Sequence, residues 1–391
     1  MIPWRRSAWF SIGLLLVAIA VGYWLHEDSR YGREASFVWW IGIALGVVLQ
    51  RTRFCFFCNL RETLEGEDVR PLLGILTALA VGTVGAVTIF GAWIPDATAG
   101  YLPQRGHIGP AAWPMLLGGL VFGLGMALSG SCISAHLYRL SEGSSLSPVS
   151  LLFALGGFAL GDWFWNPLYL ADYRTASVVW LPKHLGFGGA LILQLAVLAA
   201  LALWVWNRRN RDYVDPEEPP PAKTLYEALF VNRWPAWLGG ALVGIIASAA
   251  LFRTQPLGVT AELSRLGHSV AQTIGISLGR LEGIDSLRGC IIREQTAPLT
   301  LNALLVLGLV LGAFVASFLG GHFAWSKPPL RRVVSAAVGG LLLGVGSRIA
   351  LGCTIGTLYG GITALSLSGW LFAGGMVAGI WGGLRLRRLY W

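Results

Sequence analysis

Charged residues are scarce in this chain. Of its 391 residues only 13% are charged, whereas 55% are hydrophobic, and the mean hydropathy is +0.63. Soluble domains carry about 25% charged residues. The composition therefore excludes an ordinary soluble protein and predicts a chain whose main solvent is lipid.

Cysteine is also rare, and its number is odd. The five cysteines are spread along the whole chain: Cys55, Cys58, Cys132, Cys290 and Cys353. A secreted disulfide framework has an even number of cysteines in a short chain. The pattern excludes such a framework and predicts free thiols.

Two further observations limit the function. The sequence contains no Gly-x-x-x-x-Gly-Lys-Ser/Thr loop, which argues against ATP-driven pumping by this chain. The net charge is +9, but the Lys and Arg residues lie mostly between apolar runs. They are interpreted as topology signals, and no nucleic-acid partner is expected.

Long apolar runs dominate the rest of the sequence. A helix that crosses a bilayer needs about 20 mostly apolar residues, because its backbone must satisfy its own hydrogen bonds there. Ten runs meet this condition: 8–25, 36–52, 72–94, 113–130, 148–165, 186–206, 235–252, 300–321, 333–350 and 368–385. They predict an all-α polytopic membrane protein with about ten transmembrane helices.

The distribution of basic residues predicts the orientation. With the N-terminus in the cytoplasm, most of the 29 Lys and Arg fall in cytoplasmic segments, as the positive-inside rule requires. Both termini are therefore expected in the cytoplasm. Five arginines lie together in one predicted outer segment, which suggests a local function for them: Arg253, Arg265, Arg280, Arg288 and Arg293.

The sequence also contains an internal repeat. Residues 118–138 and 339–359, offset by 221 positions, are identical at eight of 21 positions, including Cys132 with Cys353. Five residues of 42–52 match 244–254 at an offset of 202. We predict a first membrane repeat at 1–206, a polar, proline-rich cytoplasmic linker at 207–234 and a second membrane repeat at 235–391.

Matched spans cross the membrane in opposite directions under this topology, so the repeat is predicted to be inverted. Inverted repeats with broken helices are the architecture of many transporters, whose substrate path lies between the repeats. The alternative is an old duplication that was retained only for packing.

All five cysteines lie in polar segments that follow the ends of apolar runs. A glycine breaks the helix before Cys132 and before Cys353, and a short apolar stretch follows each cysteine. This pattern predicts short re-entrant helices with a cysteine near each N-terminus, where free amides and the helix dipole favour an anion. Because thiols are weak donors with polarisable sulfur, a soft sulfur-containing anion fits best.

Other interpretations of these residues remain open. Buried cysteines also pack as small apolar side chains. Cys55 and Cys58 have redox-motif spacing, which would suit a membrane thiol oxidoreductase. Cys132 and His136 share a helix face but lack a third metal ligand, so His136 is expected to be a satisfied polar group, and a metal-ion permease ranks last. Arg348, inside an apolar span, is either an anion attractor or half of an ion pair.

The motifs around the cysteines resemble those of a known family. Residues 346–356 (GSRIALGCTIG) and 366–372 (SLSGWLF) resemble the signature of the YeeE/YedE family of bacterial inner-membrane proteins, and 53–55 (RFC) and 130–132 (GSC) match its first-half motifs. The resemblance implies uptake of thiosulfate or a related sulfur or selenium species. It also implies passage between cysteine thiols without lasting covalent chemistry.

The same resemblance implies a location in the bacterial cytoplasmic membrane and, as a possible partner, a small cytosolic TusA-like sulfur carrier. The cysteines carried over by motif are Cys55, Cys132 and Cys353, while Cys290 has a less direct counterpart and Cys58 matches no family position. We predict a transporter, not an enzyme, with no cofactor and no metal. The residues expected to support the path are Arg53, Asn59, Arg293, Glu294 and Arg348.

Overall fold

The computed structural model describes residues 4–66, 68–209, 222–276, 279–284, 287 and 299–390, without the side chains of 4–8 and 388–390. Within these ranges the chain is helical, and its one β-bridge is isolated. Ten helices are long and apolar enough to cross a membrane. The predicted all-α polytopic fold is confirmed.

The ten long helices follow the predicted apolar runs closely, with ends that differ by a few residues. Most of these helices begin at a proline or end at a glycine or a polar residue, as helix termini commonly do. The long helices are α1 (Trp4–Glu27), α2 (Gly32–Thr52), α4 (Arg70–Trp93), α5 (Trp113–Ser129), α7 (Leu146–Leu168), α8 (Leu181–Asn207), α9 (Ala236–Arg253), α11 (Leu301–Leu319), α12 (Leu330–Ile349) and α14 (Leu367–Tyr390).

Short helical segments interrupt this set after the predicted breaks at Cys55, Cys132 and Cys353, and another lies between α9 and α11, where the sequence predicted none. An eight-residue helix is about 12 Å long, which is too short to cross the ~30 Å hydrocarbon core. The short segments are α3 (Phe56–Leu64), α6 (Ile133–Leu140), α10 (Thr260–Thr273), a π-helical turn (Thr354–Gly360) and α13 (Gly361–Thr363).

The equivalent helices α5 and α12 run in opposite directions. Gly118, near the start of α5, lies against Ala350, just past the end of α12, while Gly125 lies against Gly339, near the start of α12. Glycine permits this close approach of the two backbones. Because these helices are repeat equivalents, the antiparallel crossing shows that the repeat is inverted.

A second pair of equivalents, α2 and α9, gives the same result. Thr52 at the end of α2 lies against Gly239 near the start of α9. At the other ends, the guanidinium of Arg253 lies 4.6 Å from the centre of the Phe37 ring. The predicted inversion is therefore confirmed by two independent helix pairs.

The helix contacts come in equivalent pairs. Helix α2 packs on α11 as α9 packs on α4, and α5 packs on α14 as α12 packs on α7. Exchanging the repeats turns each contact into its partner, as expected for a two-fold axis in the membrane plane. The repeats therefore interleave, and the boundaries of the predicted division into 1–206 and 235–391 stay a prediction.

The end of the linker that the structure describes marks one face of the bundle. The Trp234 N–H donates to the Arg51 carbonyl at 3.1 Å, and the Tyr226 hydroxyl donates to the Leu319 carbonyl at 2.8 Å. We call this the linker face, at which α2, α5 and α11 end. The opposite side, at which α4, α9 and α12 end, is called the far face.

Candidate functional site

The backbone turns sharply before each described cysteine of the predicted path. The residue two positions earlier has a positive φ in every case: Arg53 at 47°, Gly130 at 84° and Leu351 at 59°. The left-handed conformation is costly for Arg and Leu, because their Cβ atoms crowd the backbone. Such strain persists only where the surrounding structure enforces it, so the turns are built features of the site.

Each turn places a cysteine at the start of a short helical segment. Cys55 is the N-cap of α3, Cys132 of α6 and Cys353 of the π-helical turn. All three are fully buried in one packed cluster of side chains. The positive ends of three helix dipoles therefore meet thiols inside the bundle.

Two of these thiols form a compact group with a third. The side chains of Cys132 and Cys58 both lie near that of Cys55 and interact with it. The Cys58 N–H donates to Cys55 Sγ at 3.5 Å, and Cys132 Sγ lies 3.3 Å from Ser134 Oγ. Three sulfur atoms on two different short helices are thus brought together.

Arg139 lies beside this group and was not predicted as a site residue. Its Nη2 donates to Cys58 Sγ at 3.2 Å, and its Nη1 donates to the Gly130 carbonyl at 3.4 Å. A guanidinium is a strong donor that keeps its charge when buried. The group therefore contains a cation that can hold an anion next to the thiols.

Cys353 belongs to the second repeat and lies near the first group. Its carbonyl accepts from the Thr357 and Leu358 N–H groups, at 2.8 and 3.2 Å. Cys353 is close enough to Cys132 to act on it electrostatically. The structure thus brings together the three cysteines that the sequence motifs single out.

Arg348 forms a buried ion pair. Its Nε contacts Asp162 Oδ1, and Asp162 Oδ2 lies 3.0 Å from His268 Nδ1. The exposed fraction is 3% for the Arg348 side chain and zero for Asp162. Of the two interpretations of Arg348, the contacts match the ion pair. Asp162 is the only charged residue within 148–165, so the same reasoning would have found it.

Other predicted residues have local structural contacts. Arg53 pairs with Glu142 at 3.5 Å near the linker face. The Asn59 Nδ2 donates to the Pro71 carbonyl at 3.0 Å, which ties α3 to the start of α4. His136 Nδ1 lies 3.3 Å from Ser147 Oγ, but its buried Nε2 has no hydrogen-bond partner among the described residues, so the expected satisfied polar group is found at only one of the two ring nitrogens.

Three predicted residues lie outside the described part of the chain: Cys290, Arg293 and Glu294. Within the described ranges, no group of three or more His, Cys, Asp or Glu side chains could hold a metal ion. The four cysteines in those ranges are free thiols.

Ten membrane-crossing helices, an inverted repeat and buried thiols at broken helices define a membrane transporter of the inverted-repeat class. A comparison with known families gives the family. The profile described as sulphur transport matches residues 51–382. The chain belongs to this family, and the resemblance to YeeE/YedE proteins is confirmed.

Two relatives align with most of the chain, and a third aligns with about a third of it. The thiosulfate transporter TsuA of Escherichia coli K12 is 24% identical over 361 residues, which cover 87% of this chain and 91% of the relative. TsuA of Spirochaeta thermophila is 28% identical over 363 residues, with coverage of 87% and 95%. The probable transporter YedE of Salmonella typhimurium is 32% identical over 133 residues, 34% of this chain and 32% of YedE.

Proposed function

We propose that this chain takes up thiosulfate, or a closely related sulfur-containing anion, across the bacterial cytoplasmic membrane, and that it acts as a transporter and not as an enzyme. The observation that carries the proposal is the cluster of three fully buried thiols, each at the start of a short helical segment. The two relatives that align with most of the chain are both named thiosulfate transporters, which supports the choice of thiosulfate.

The physical basis is a match between site and substrate. A dianion that leaves water needs donors and positive potential, which the helix N-termini supply. A thiol adds a weak donor and a polarisable sulfur atom, both suited to the terminal sulfur of thiosulfate. The anion moves from Cys353 to Cys132 and Cys55 by exchange of hydrogen bonds, and no covalent bond forms or breaks.

The direction of transport follows from the predicted topology. In this proposal the linker face is cytoplasmic, both termini are cytoplasmic, and the far face receives the substrate. Cys290, Arg293 and Glu294 stay predicted members of the substrate path. Arg53, through its pair with Glu142, and Asn59, which ties α3 to the start of α4, support the exit, where a TusA-like sulfur carrier accepts the anion.

The test is uptake of radiolabelled thiosulfate by cells that express the Cys353→Ala or the Cys132→Ala variant. Each change removes one sulfur atom from the path, so uptake is expected to fall close to the background of cells without the protein. The amount of protein in the membrane is measured in parallel. Wild-type uptake by both variants at normal abundance would show that the proposal is wrong.

One observation favours a second candidate, a membrane thiol oxidoreductase. The side chains of Cys55 and Cys58 lie near each other, and the Cys58 N–H donates to Cys55 Sγ at 3.5 Å. Such an enzyme would cycle this pair between thiol and disulfide against a quinone. A Cys58→Ser variant that keeps full activity would exclude this candidate, and alkylation of the thiols before and after turnover measures the redox change.

A further inference from the structure

A cavity of about 30 Å³ lies in the far-face half of the bundle. Its walls come from α4, α9, the loop before α5 and the chain that follows Cys353. This volume holds about two ordered waters. We call it the Tyr359 cavity.

The Tyr359 cavity is the repeat equivalent of the site at Cys55. Leu257, which lines the cavity, matches Cys55 at the 202-residue offset, and Tyr359 matches Tyr138 at the 221-residue offset. Tyr138 is itself near enough to Cys55 to interact with it electrostatically. An inverted repeat thus places one such site on each side of the central thiols.

Three buried polar side chains line the cavity, Tyr359, His107 and Thr363, and the Thr363 hydroxyl already donates to the Tyr359 carbonyl at 2.8 Å. Tyr359 is 4% exposed and His107 is 5% exposed. The Tyr359 hydroxyl is buried and makes no hydrogen bond with a residue in the described ranges. Leaving such a group unpaired in the protein interior is costly, so a ligand or water is expected there.

His107 supplies a second donor. Neither of its ring nitrogens completes a well-formed hydrogen bond within the described ranges, although the Leu257 backbone interacts with the ring. Burial lowers the pKa of His107 to about 4. The ring is therefore neutral at pH 7, and it offers one N–H whose donor strength does not change with pH near neutrality.

Positive charge lies at the edge of the cavity. Arg105 is exposed and directly precedes Gly106, which lines the cavity. Its Nη1 donates to the Arg253 carbonyl at 3.2 Å, and Arg253 lies three residues before the lining residue Pro256. The exposed Arg105 guanidinium thus raises the local concentration of anions.

We propose that the Tyr359 cavity is a binding site for the oxygen end of the transported anion, which it occupies before it reaches Cys353. This inference rests on the proposed function and adds a recognition step to it. The Tyr359 hydroxyl and the His107 N–H donate to oxygen atoms of the anion. Because Leu257 stands here in place of a cysteine, the cavity recognises oxygen and leaves selection for the terminal sulfur to the thiols.

Because the cavity would bind oxygen atoms and the thiols would bind the terminal sulfur, the proposal predicts how sulfate behaves. Sulfate presents the same oxygen atoms but has no terminal sulfur. It is expected to compete with thiosulfate for the cavity and to inhibit uptake without being transported itself.

The test is the concentration dependence of thiosulfate uptake by the Tyr359→Phe variant. The KM is expected to rise about tenfold, since a hydrogen bond to a charged ligand is lost, while the maximal rate changes little. Inhibition by sulfate is expected to weaken by a similar factor. His107→Asn is expected to shift both values in the same direction.

The matched control is Tyr101→Phe, the same change at an exposed tyrosine in the loop before α5. It is expected to leave KM and sulfate inhibition at their wild-type values. The Tyr359→Phe change keeps the ring and removes a hydroxyl that has no hydrogen bond to a described residue, so the melting temperature in detergent should stay the same. An unchanged KM and unchanged sulfate inhibition in Tyr359→Phe would overturn the inference.

The outcome separates this inference from the function on which it rests. If Cys353→Ala abolishes uptake while Tyr359→Phe behaves as wild type, the transport path stands and the oxygen-binding site is wrong. If Cys353→Ala transports normally, the proposed function itself fails, whatever Tyr359→Phe does.

Discussion

The short helical segment after Cys132 carries Tyr138 and Arg139, whereas the equivalent segment after Cys353 carries Tyr359 and Gly360. At the linker-face end, the Arg139 guanidinium contacts Cys58. At the far-face end, the position of Arg139 has no side chain, and the His107 ring packs against Gly360. The two ends therefore share a backbone and differ in the groups that could hold an anion.

The same comparison holds for the sulfur atoms. Cys55 and Cys58 of the linker-face end correspond to Leu257 and Thr260 of the far-face end. One end offers soft sulfur atoms and a cation, and the other offers a hydroxyl and an imidazole. In a symmetric fold with unequal ends, the substrate meets different chemistry on entry and on exit.

The two ends also differ in a buried ion pair, which is present at the far-face end and is replaced by small apolar residues at the equivalent positions of the linker-face end. Asp162 and Arg348 form an ion pair at the far-face end, while their equivalents are Gly383 and Ala127, which lie against each other. A buried pair is costly to build and is often no more stable than an apolar contact. Its presence at one end alone suggests a role in shaping the far-face entrance.

The largest expected effect comes from making the sulfur content of the two ends equal. Cys55→Leu copies the far-face residue into the linker-face end and should reduce thiosulfate uptake to near background, because the last thiol of the path is lost. Cys55→Ala controls for the larger size of leucine and should give the same loss. Cys58→Thr, which copies Thr260, should reduce uptake by only a few-fold, since it leaves Cys55 in place. Equal uptake by all three variants and the wild type would contradict the comparison.

The second prediction concerns the buried ion pair. Arg348→Met leaves Asp162 buried without its cation and is expected to destabilise the protein by about 3–5 kcal/mol. The double variant Arg348→Met with Asp162→Asn makes the end neutral, as the other end is, and should recover most of that loss. Thermal unfolding in detergent measures both. A double variant as unstable as the single one would show that the charge pair is not the reason.

The smallest expected effect is a pH dependence of stability that both ends share. Burial is the main cause that lowers the pKa of His107 and of His322 to about 4, well below the usual value near 6.5. The unfolded chain therefore takes up these protons before the folded one does. Stability from both residues is complete above about pH 6.5 and is lost as the pH falls toward about 4.

Melting temperatures between pH 7 and pH 4 check this prediction. His107→Asn and His322→Asn should each make the decline shallower than in the wild type. The effect of His322 should be the smaller one, because its side chain is only half-buried. A slope that is unchanged in both variants would assign the acid sensitivity to carboxylates instead.

Much of the fold could be predicted from the sequence for simple physical reasons. Apolar runs of membrane length identify the ten spans, since lipid leaves few alternatives to a helix. The matching Gly and Cys positions around Cys132 and Cys353, together with the Lys and Arg distribution, were sufficient for the inverted repeat. The breaks before these cysteines were also predicted, because Gly130 and Gly352 interrupt otherwise apolar helices.

The candidate site was less predictable. Cys55 and Cys132 could be named from motifs, but their closeness to Cys58 and Arg139 depends on how two short helices pack. The sequence showed that Tyr138 and Tyr359 are identical at equivalent positions of the repeat. It did not show that Tyr359 lines a cavity. Cys290 lies outside the described residues, so its place in the path stays a prediction.

The sequence by itself therefore determined the solvent, the number of spans, their inverted relation and the cysteines at the breaks, because hydropathy, charge and repetition are properties of the chain. Only the tertiary structure decided which groups meet: Arg139 with Cys58, Arg348 with Asp162, and His107 with Tyr359 beside one cavity. These contacts join residues that are far apart in the chain. They depend on the packing of interleaved helices, which no local pattern specifies.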